Sequence, residues 1–269
     1  MRPAVGATHA SPVPDAGAAV AGENGNQGRG RVDGPDVQPG AQPHLTVIIP
    51  AFNEAETIAE LLDRVRRVPI AKQIVVIDDA STDGTAAILL REAGAGDLEV
   101  VTFARNRGKG AAVRAGLERA RGEIVLIQDA DLEYDPAEYP RLLAPIEAGI
   151  AQAVYGSRFL GGPRTAMLFW HAVGNRFLTL VANVLFDTTL TDIETCYKVF
   201  TLDVAQSLRL RSERWGVDPE ITAKILKGGH RIYEVPIAYA GREYHQGKKI
   251  TWRDGFTVLI TMLRYRVMD

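Results

Sequence analysis

Glu123-Ile-Val-Leu-Ile-Gln-Asp-Ala-Asp-Leu-Glu-Tyr-Asp-Pro136 changes character halfway along. Its apolar run, Ile124 to Ile127, stops at Asp129-Ala130-Asp131, and Pro136 stands where a helix would open. A short apolar run bounded by turn signals reads as a fully buried strand of a parallel sheet. In open α/β sheets, ligands gather at the carboxyl ends of the strands. Two carboxylates one residue apart repel each other unless a cation lies between them. Mg²⁺ typically combines one or two carboxylates with the phosphate oxygens of a substrate. Asp129 and Asp131 therefore read as a metal site for a diphosphate ligand, against the plainer alternative of a solvated acidic loop.

Two similar units precede this one. Leu45-Thr-Val-Ile-Ile-Pro50 predicts a buried strand, with Asn53 as the N-cap of a helix carrying Ile58, Leu61, Leu62 and Val65 on one face and ending near Pro69. Gln73 to Ile77 predicts a second strand, with Asp78 and Asp79 at its carboxyl end and a helix from Asp83 to Arg91 stopped by Gly94. Leu98 to Phe103 predicts a third strand, and Asn106-Arg-Gly-Lys-Gly110 a loop before a helix over 111–121. That loop lacks the full phosphate-loop pattern; its glycines read as allowing close approach to the pocket. Alternating strands and helices predict a parallel sheet with right-handed crossovers. Glu54, Asp78, Asp79, Asp129 and Asp131 then share one sheet edge, which argues for a single polar site there, a nucleotide pocket.

The second half is less regular. Gln152 to Tyr155 reads as a strand leading to Arg158, and Met167 to Phe186 as a long helix apolar nearly all round, either buried or packed on lipid or a partner. Thr191 to Phe200 turns from polar to strand-like, Asp218-Pro-Glu220 opens a helix to Lys227, and Arg231 to Val235 reads as a last strand. A loop over 241–249 and a final helix, Trp252 to Val267, complete the chain.

Composition sets further bounds. With 269 residues, 46% apolar and 24% charged, the chain can form one large α/β domain or two small ones. A formal charge of -2 argues against bulk nucleic-acid binding. One cysteine, Cys196, excludes an internal disulfide and a multi-cysteine zinc site, and the five histidines show no metal-binding spacing. No stretch reaches bilayer-spanning length and the N-terminus lacks the apolar centre of a signal peptide, so a cytoplasmic protein is expected. Residues 1–43 are too poor in large apolar side chains to offset the entropy of ordering, and predict a disordered tail.

Taken together, the motifs resemble family 2 glycosyltransferases of the GT-A fold, in particular the dolichyl- or polyprenyl-phosphate mannose synthases. The matching segments are Val47-Ile-Ile-Pro-Ala-Phe-Asn-Glu54, Val76-Ile-Asp-Asp-Ala-Ser-Thr-Asp-Gly-Thr85, Asn106-Arg-Gly-Lys-Gly110, Gln128-Asp-Ala-Asp131 and Tyr155-Gly-Ser-Arg-Phe159, followed by Arg242 and Lys248. The resemblance implies a Rossmann-like, mostly parallel sheet flanked by helices in a single domain over 44–250, after the tail and before a C-terminal amphipathic helix over 251–269. It implies that Pro50, Phe52, Glu54, Ile77, Asp78, Asp79, Gln128 and Ala130 line the donor pocket. It also implies that Asp129 and Asp131 hold Mg²⁺ or Mn²⁺, and that Arg158, Arg242 and Lys248 contact the donor diphosphate and acceptor phosphate. Phe52 stands where the family commonly has Tyr, so a hydroxyl is lost while ring packing can remain. Glu133 stands where Gln is frequent, and either strengthens metal binding or only adds charge.

The expected reaction moves a sugar, mannose from GDP-mannose first and glucose from UDP-glucose second, to a polyprenyl phosphate with inversion. A hydroxyl acceptor would need a base. Asp192 and Glu194 stand where one could sit, equally open to capping or to pairing with Lys198. A non-catalytic nucleotide-sugar binding module is the reading outside enzymes. In the last helix Trp252, Phe256, Leu259, Ile260 and Leu263 share a face beside Arg253, Arg264 and Arg266, a pattern for peripheral contact with an anionic bilayer or for packing on the core or a partner.

Overall fold

The computed structural model describes residues 43–94, 96–165, 167–241 and 252–268. The expected tail, but for its last residue, and the loop bearing Arg242 and Lys248 lie outside the described residues.

The sheet is built from β1 (Leu45–Ala51), β2 (Lys72–Asp78), β3 (Leu98–Thr102), β4 (Ile124–Ile127), β5 (Ala153–Ser157), β6 (Lys198–Thr201) and β7 (Ile232–Pro236). Among the described residues these form one seven-stranded sheet in the order β3-β2-β1-β4-β6-β5-β7. β3, β2, β1 and β4 are mutually parallel, as expected. β6 enters antiparallel between β4 and β5, and β5 pairs parallel with β7. A short buried strand carries the same apolar pattern in either direction, so the sequence did not reveal that reversal.

The helices are α1 (Ile58–Arg67), α2 (Thr85–Ala93), α3 (Lys109–Leu117), α4 (Tyr139–Glu147), α5 (Phe169–Phe186), α6 (Leu202–Ser207), α7 (Val217–Lys227) and α8 (Trp252–Val267). Successive strand residues point to opposite faces. Val47 and Ile49 accordingly pack with Ile58, Leu61, Leu62 and Val65 of α1 on one side, while Ile48 packs with Val113 of α3 on the other. The same alternation sends Ile74 and Val76 toward Leu89 of α2, and Val75 and Ile77 toward Ala112. Cover on both faces is why these strands read as unbroken apolar runs.

Several expected helix bounds shift, α2 among them, which runs from Thr85 to Ala93 instead of Asp83 to Arg91. α1 opens at Ile58 rather than after Asn53, because Asn53 takes a left-handed conformation (φ 52°) and the Glu54 carbonyl accepts the Ile58 amide one turn later. α3 starts and stops earlier than the expected 111–121. α5 begins at Phe169 and buries only Thr179 and Ala182, leaving most of its apolar surface exposed. α8 turns Val258 and Met262 into a cluster shared with Ala182 of α5, with Leu259 half-buried there, while Phe256, Ile260 and Leu263 face outward. Of the expected apolar face, Phe256, Ile260 and Leu263 stay outward and Leu259 is half-buried, while the buried contacts come from Val258 and Met262 on another side.

Candidate active site

The carboxyl tips of β1, β2 and β4 meet as expected. At the first two, Asn53 and Ala80 both hold positive φ (52° and 60°). Such strain persists only where surrounding bonds enforce it. Here the Asn53 side-chain oxygen accepts the Thr82 amide at 2.8 Å, the Asn53 amide donates to Ser81 Oγ at 3.0 Å, and the Glu54 amide donates to Thr85 Oγ1 at 2.9 Å. The Thr57 hydroxyl donates to the Ala130 carbonyl at 3.0 Å, tying the β1 tip to the β4 tip.

The two aspartates after β2 do different work. Asp78 is fully buried; its Oδ1 accepts the Ser81 amide at 3.0 Å, and its Oδ2 has no hydrogen-bond partner. An orphaned buried carboxylate oxygen is costly, so it expects a donor that the protein does not supply. Asp79 gives both oxygens to the following loop, accepting the Arg107 amide at 2.6 Å and the Gly108 amide at 2.7 Å. Behind that loop, a Cβ on Gly110 would stand 2.2 Å from the Ser212 carbonyl oxygen, and one on Gly108 2.5 Å from that of Glu213. The glycines admit a neighbouring backbone segment rather than a ligand.

Around Asp129 runs a chain of alternating charge. Lys109 Nζ lies 2.8 Å from Asp129 Oδ1, 3.6 Å from Asp218 Oδ2 and 3.2 Å from Cys196 Sγ. Asp218 Oδ1 accepts from Lys198 Nζ at 2.8 Å, and Lys198 also donates to the Ile193 and Thr195 carbonyls. Burial works against the charge on Lys109, but Asp129 and Asp218 outweigh it and hold the ammonium well above its ordinary pKa. Burial likewise favours a neutral Asp218, and the two lysines overcome it, holding that carboxyl below its usual range. The sequence reading missed Lys109, Lys198 and Asp218 as a network, because buried lysines and a helix-opening Asp carry ordinary local explanations.

Asp131 Oδ1 accepts the Glu133 amide at 3.1 Å, and Glu133 Oε2 accepts the Tyr239 hydroxyl at 2.9 Å. Among the described residues no three of His, Cys, Asp and Glu converge to hold a metal by themselves. Asp129 and Asp131 still fit a divalent ion bound together with a diphosphate. Both offer hard carboxylate oxygens, the donor type a divalent ion takes together with phosphate oxygens.

Arg158 sits beside this network and is nine-tenths buried. Asp192 accepts Arg158 Nε at 2.7 Å, Nη2 at 2.8 Å and the Arg158 amide at 3.1 Å, and Asn175 Nδ2 at 3.3 Å. The guanidinium also lies over the Tyr239 ring, 5.2 Å from its centroid. Asp192 thus pairs with Arg158 and not with Lys198, and both its oxygens accept from donors. Glu194 stays apart from both pairs. Its Oε1 is buried without a partner, and burial, then Asp218, pushes its carboxyl up to about 7.

Other expected positions divide. Pro50, Phe52 and Glu54 line the β1 tip, and Ala130 lies between Asp129 and Asp131. Gln128 is turned fully into the core, accepting the hydroxyls of Tyr139 at 2.9 Å and Tyr197 at 2.8 Å and donating to the Asp129 carbonyl. Ile77 is likewise fully buried. Phe159 carries Arg164 and Arg176 over its ring, at 5.0 and 5.4 Å, a cationic patch that the sequence reading did not single out.

A profile described as glycosyl transferase family 2 matches residues 46–208. Glycosyltransferase AglJ of Haloferax volcanii is 30% identical over 222 residues, covering 82% of this chain and 71% of its own. Undecaprenyl-phosphate mannosyltransferase of Micrococcus luteus is 31% identical over 218 residues, covering 76% and 86%. Among solved structures, glucosyl-3-phosphoglycerate synthase of Mycobacterium tuberculosis in complex with Mg²⁺ and UDP superposes with a TM-score of 0.65. It is 20% identical, and the match covers 84% of this chain and 80% of that one.

Proposed function

Because this chain belongs to glycosyl transferase family 2 and is a nucleotide-sugar glycosyltransferase of GT-A-like fold, we propose that it transfers mannose from GDP-mannose to a polyprenyl phosphate, with inversion. One observation carries the choice of acceptor. One of the two candidate bases, Asp192, is saturated by Arg158 and Asn175, and the guanidinium it orients suits a phosphate. A phosphate monoester, with a second pKa of about 6, is already anionic at neutral pH and attacks without a base. Its oxygen bonds to the anomeric carbon as the bond to the donor diphosphate breaks, and nucleoside diphosphate leaves.

Each part of the site has a role in that displacement. Pro50, Phe52, Glu54 and the orphaned Asp78 Oδ2 receive the nucleoside. Asp129 and Asp131, with Glu133 behind them, are the protein's ligands for Mg²⁺ or Mn²⁺. When bound, that ion supplies Lewis-acid neutralisation of the departing diphosphate. Arg158 adds fixed positive charge, with Arg242 and Lys248 in the same role. The relative from Micrococcus luteus, whose acceptor is named as undecaprenyl phosphate, supports this reading. So do the outward apolar faces of α5 and α8, which fit a peripheral membrane contact near a lipid acceptor. Among the described residues no helix is long and apolar enough to cross a membrane.

Glu194 favours a second reading. A carboxyl pushed up to about 7 with a free buried oxygen is suited to take a proton from a sugar hydroxyl. UDP-glucose as donor would accompany either acceptor without altering the site.

The deciding experiment incubates the protein with radiolabelled GDP-mannose, undecaprenyl phosphate in detergent, and Mn²⁺. The expected product is organic-extractable mannose released by mild acid. No lipid-linked label from GDP-mannose or UDP-glucose, alongside transfer to a soluble glycan, would replace this reading with the second. A thermal-shift panel of nucleotide sugars with and without Mn²⁺ identifies the donor by the ligand that stabilises the fold.

A further inference from the structure

Asp129 has a cation before any divalent ion reaches it. Lys109 Nζ holds its Oδ1 at 2.8 Å in a site where the lysine side chain is 11% and the aspartate 21% exposed, so water screens the pair weakly. The lysine is anchored from behind: Asp218 Oδ2 lies 3.6 Å from Nζ and Cys196 Sγ 3.2 Å. It is also braced in sequence, since α3 begins at Lys109 and the preceding Gly108 amide is pinned by Asp79. An ion entering between Asp129 and Asp131 must share Asp129 with this ammonium and meet its repulsion.

We infer that Lys109 is a resident counter-ion that competes with the divalent metal for Asp129, so that metal and nucleoside diphosphate bind as one unit and neither binds tightly alone. A diphosphate changes the balance in two ways. Its negative charge offsets the repulsion between ammonium and metal, and its oxygens complete a coordination shell that two aspartates leave open. The two affinities are therefore coupled, and the coupling is reciprocal: the metal raises nucleotide affinity by the factor by which nucleotide raises metal affinity. Asp218, paired on its other oxygen with the fully buried Lys198, keeps Lys109 near Asp129 instead of releasing it to solvent. The inference rests on the metal reading of Asp129 and Asp131 given above.

The test titrates Mn²⁺ into the full chain and reads free Mn²⁺ by electron paramagnetic resonance, without nucleotide and then with saturating GDP or UDP. Lys109→Met and Lys109→Gln are compared with the wild-type protein, with thermal melts confirming which variants are folded. Wild type is expected to bind Mn²⁺ weakly alone and on the order of tenfold to a hundredfold more tightly with the matching nucleotide, the range typical of coupled sites. Either variant is expected to bind Mn²⁺ alone about tenfold more tightly than wild type and to show correspondingly less coupling. A lysine with only a structural role predicts equal or weaker Mn²⁺ binding in the folded variant, and that result overturns the inference. A failure of the underlying reading looks different: wild type would then bind no Mn²⁺ with either nucleotide.

Discussion

Arg158 and Asp192 form a side-on pair, Nε to Oδ2 at 2.7 Å and Nη2 to Oδ1 at 2.8 Å, closed off from solvent on the aspartate side. Removing one member of a buried pair leaves an uncompensated charge, at a cost of about 3–5 kcal/mol. Arg158→Ala and Asp192→Ala should each destabilise by that order in urea unfolding, and the double variant by clearly less than their sum. Asp192→Asn, which keeps the shape, should leave donor-induced thermal stabilisation intact. It should lower transfer on the order of a hundredfold, as misplacement of a positioning group does. Additive stability losses, or full turnover in Asp192→Asn, would contradict the orienting role.

Glu194 supplies a pH signature. Its folded-state pKa of about 7 lies above the ordinary 4.5, so the folded protein holds a proton that the unfolded chain releases between those values. Stability from this group is therefore present below pH 4.5 and is lost as pH rises through 7. Glu194→Gln should remove that slope and be more stable than wild type at pH 8, by roughly 1–3 kcal/mol. Urea unfolding at pH 5 and pH 8 reads it. The same variant should keep transfer to polyprenyl phosphate within a few-fold, whereas a hydroxyl acceptor served by this base would lose it by about a hundredfold or more.

For Asp129 and Asp131 as proposed metal ligands, chelation is the direct check. EDTA should abolish transfer and added Mn²⁺ should restore it. Asp129→Asn and Asp131→Asn should each cost at least roughly a hundredfold, since metal neutralisation of a leaving diphosphate is worth several kcal/mol. In a thermal-shift experiment these variants should also lose the part of nucleotide-sugar stabilisation that depends on Mn²⁺. Persistence of that part in both would move the ion elsewhere.

Gly110 tests the loop. A methyl group there meets the Ser212 carbonyl oxygen at 2.2 Å, and backbone cannot move aside as a flexible side chain can. Gly110→Ala should destabilise by about 1–3 kcal/mol or more, the usual range for overpacking. Nucleotide affinity should fall with it, because the same loop is pinned by Asp79. A neutral melt would show that the Ser212–Arg214 segment yields.

These sites differ in how visible they were in the sequence. β1, β2 and β4 could be read because each is an apolar run ending in acids, and parallel order follows from alternation with helices. The reversed β6 could not, since burial on both faces erases any mark of direction. Asp129 and Asp131 stood out by position, whereas Lys109, Asp218 and Lys198 meet only through tertiary folding across 20 to 109 residues of chain. Gln128 was matched to the pocket by resemblance, but two tyrosine hydroxyls claim its side-chain oxygen. Asp192 stood open between base and capping because sequence shows a carboxylate and hides the arginine that holds it.

The outward faces of α5 and α8 give the last prediction. Trp170 is 77% exposed, Phe177 56%, Phe256 58% and Ile260 63%, on helices packed together through Ala182, Val258 and Met262. Exposed apolar patches of this kind mark interaction surfaces, and the exposed Arg176, Arg264 and Arg266 would favour an anionic one. Burying one aromatic ring in a bilayer interface is worth about 1.5–3 kcal/mol. A Phe177→Glu, Phe256→Glu variant should therefore lose at least about tenfold in co-sedimentation with phosphatidylglycerol vesicles while melting near wild type, because exposed side chains contribute little to the fold. Transfer to a short, water-soluble polyprenyl phosphate should survive in the same variant, since neither residue belongs to the donor site. Equal sedimentation of both proteins would return these faces to a protein partner, and loss of transfer to the soluble acceptor would mean that α5 shapes the acceptor site itself.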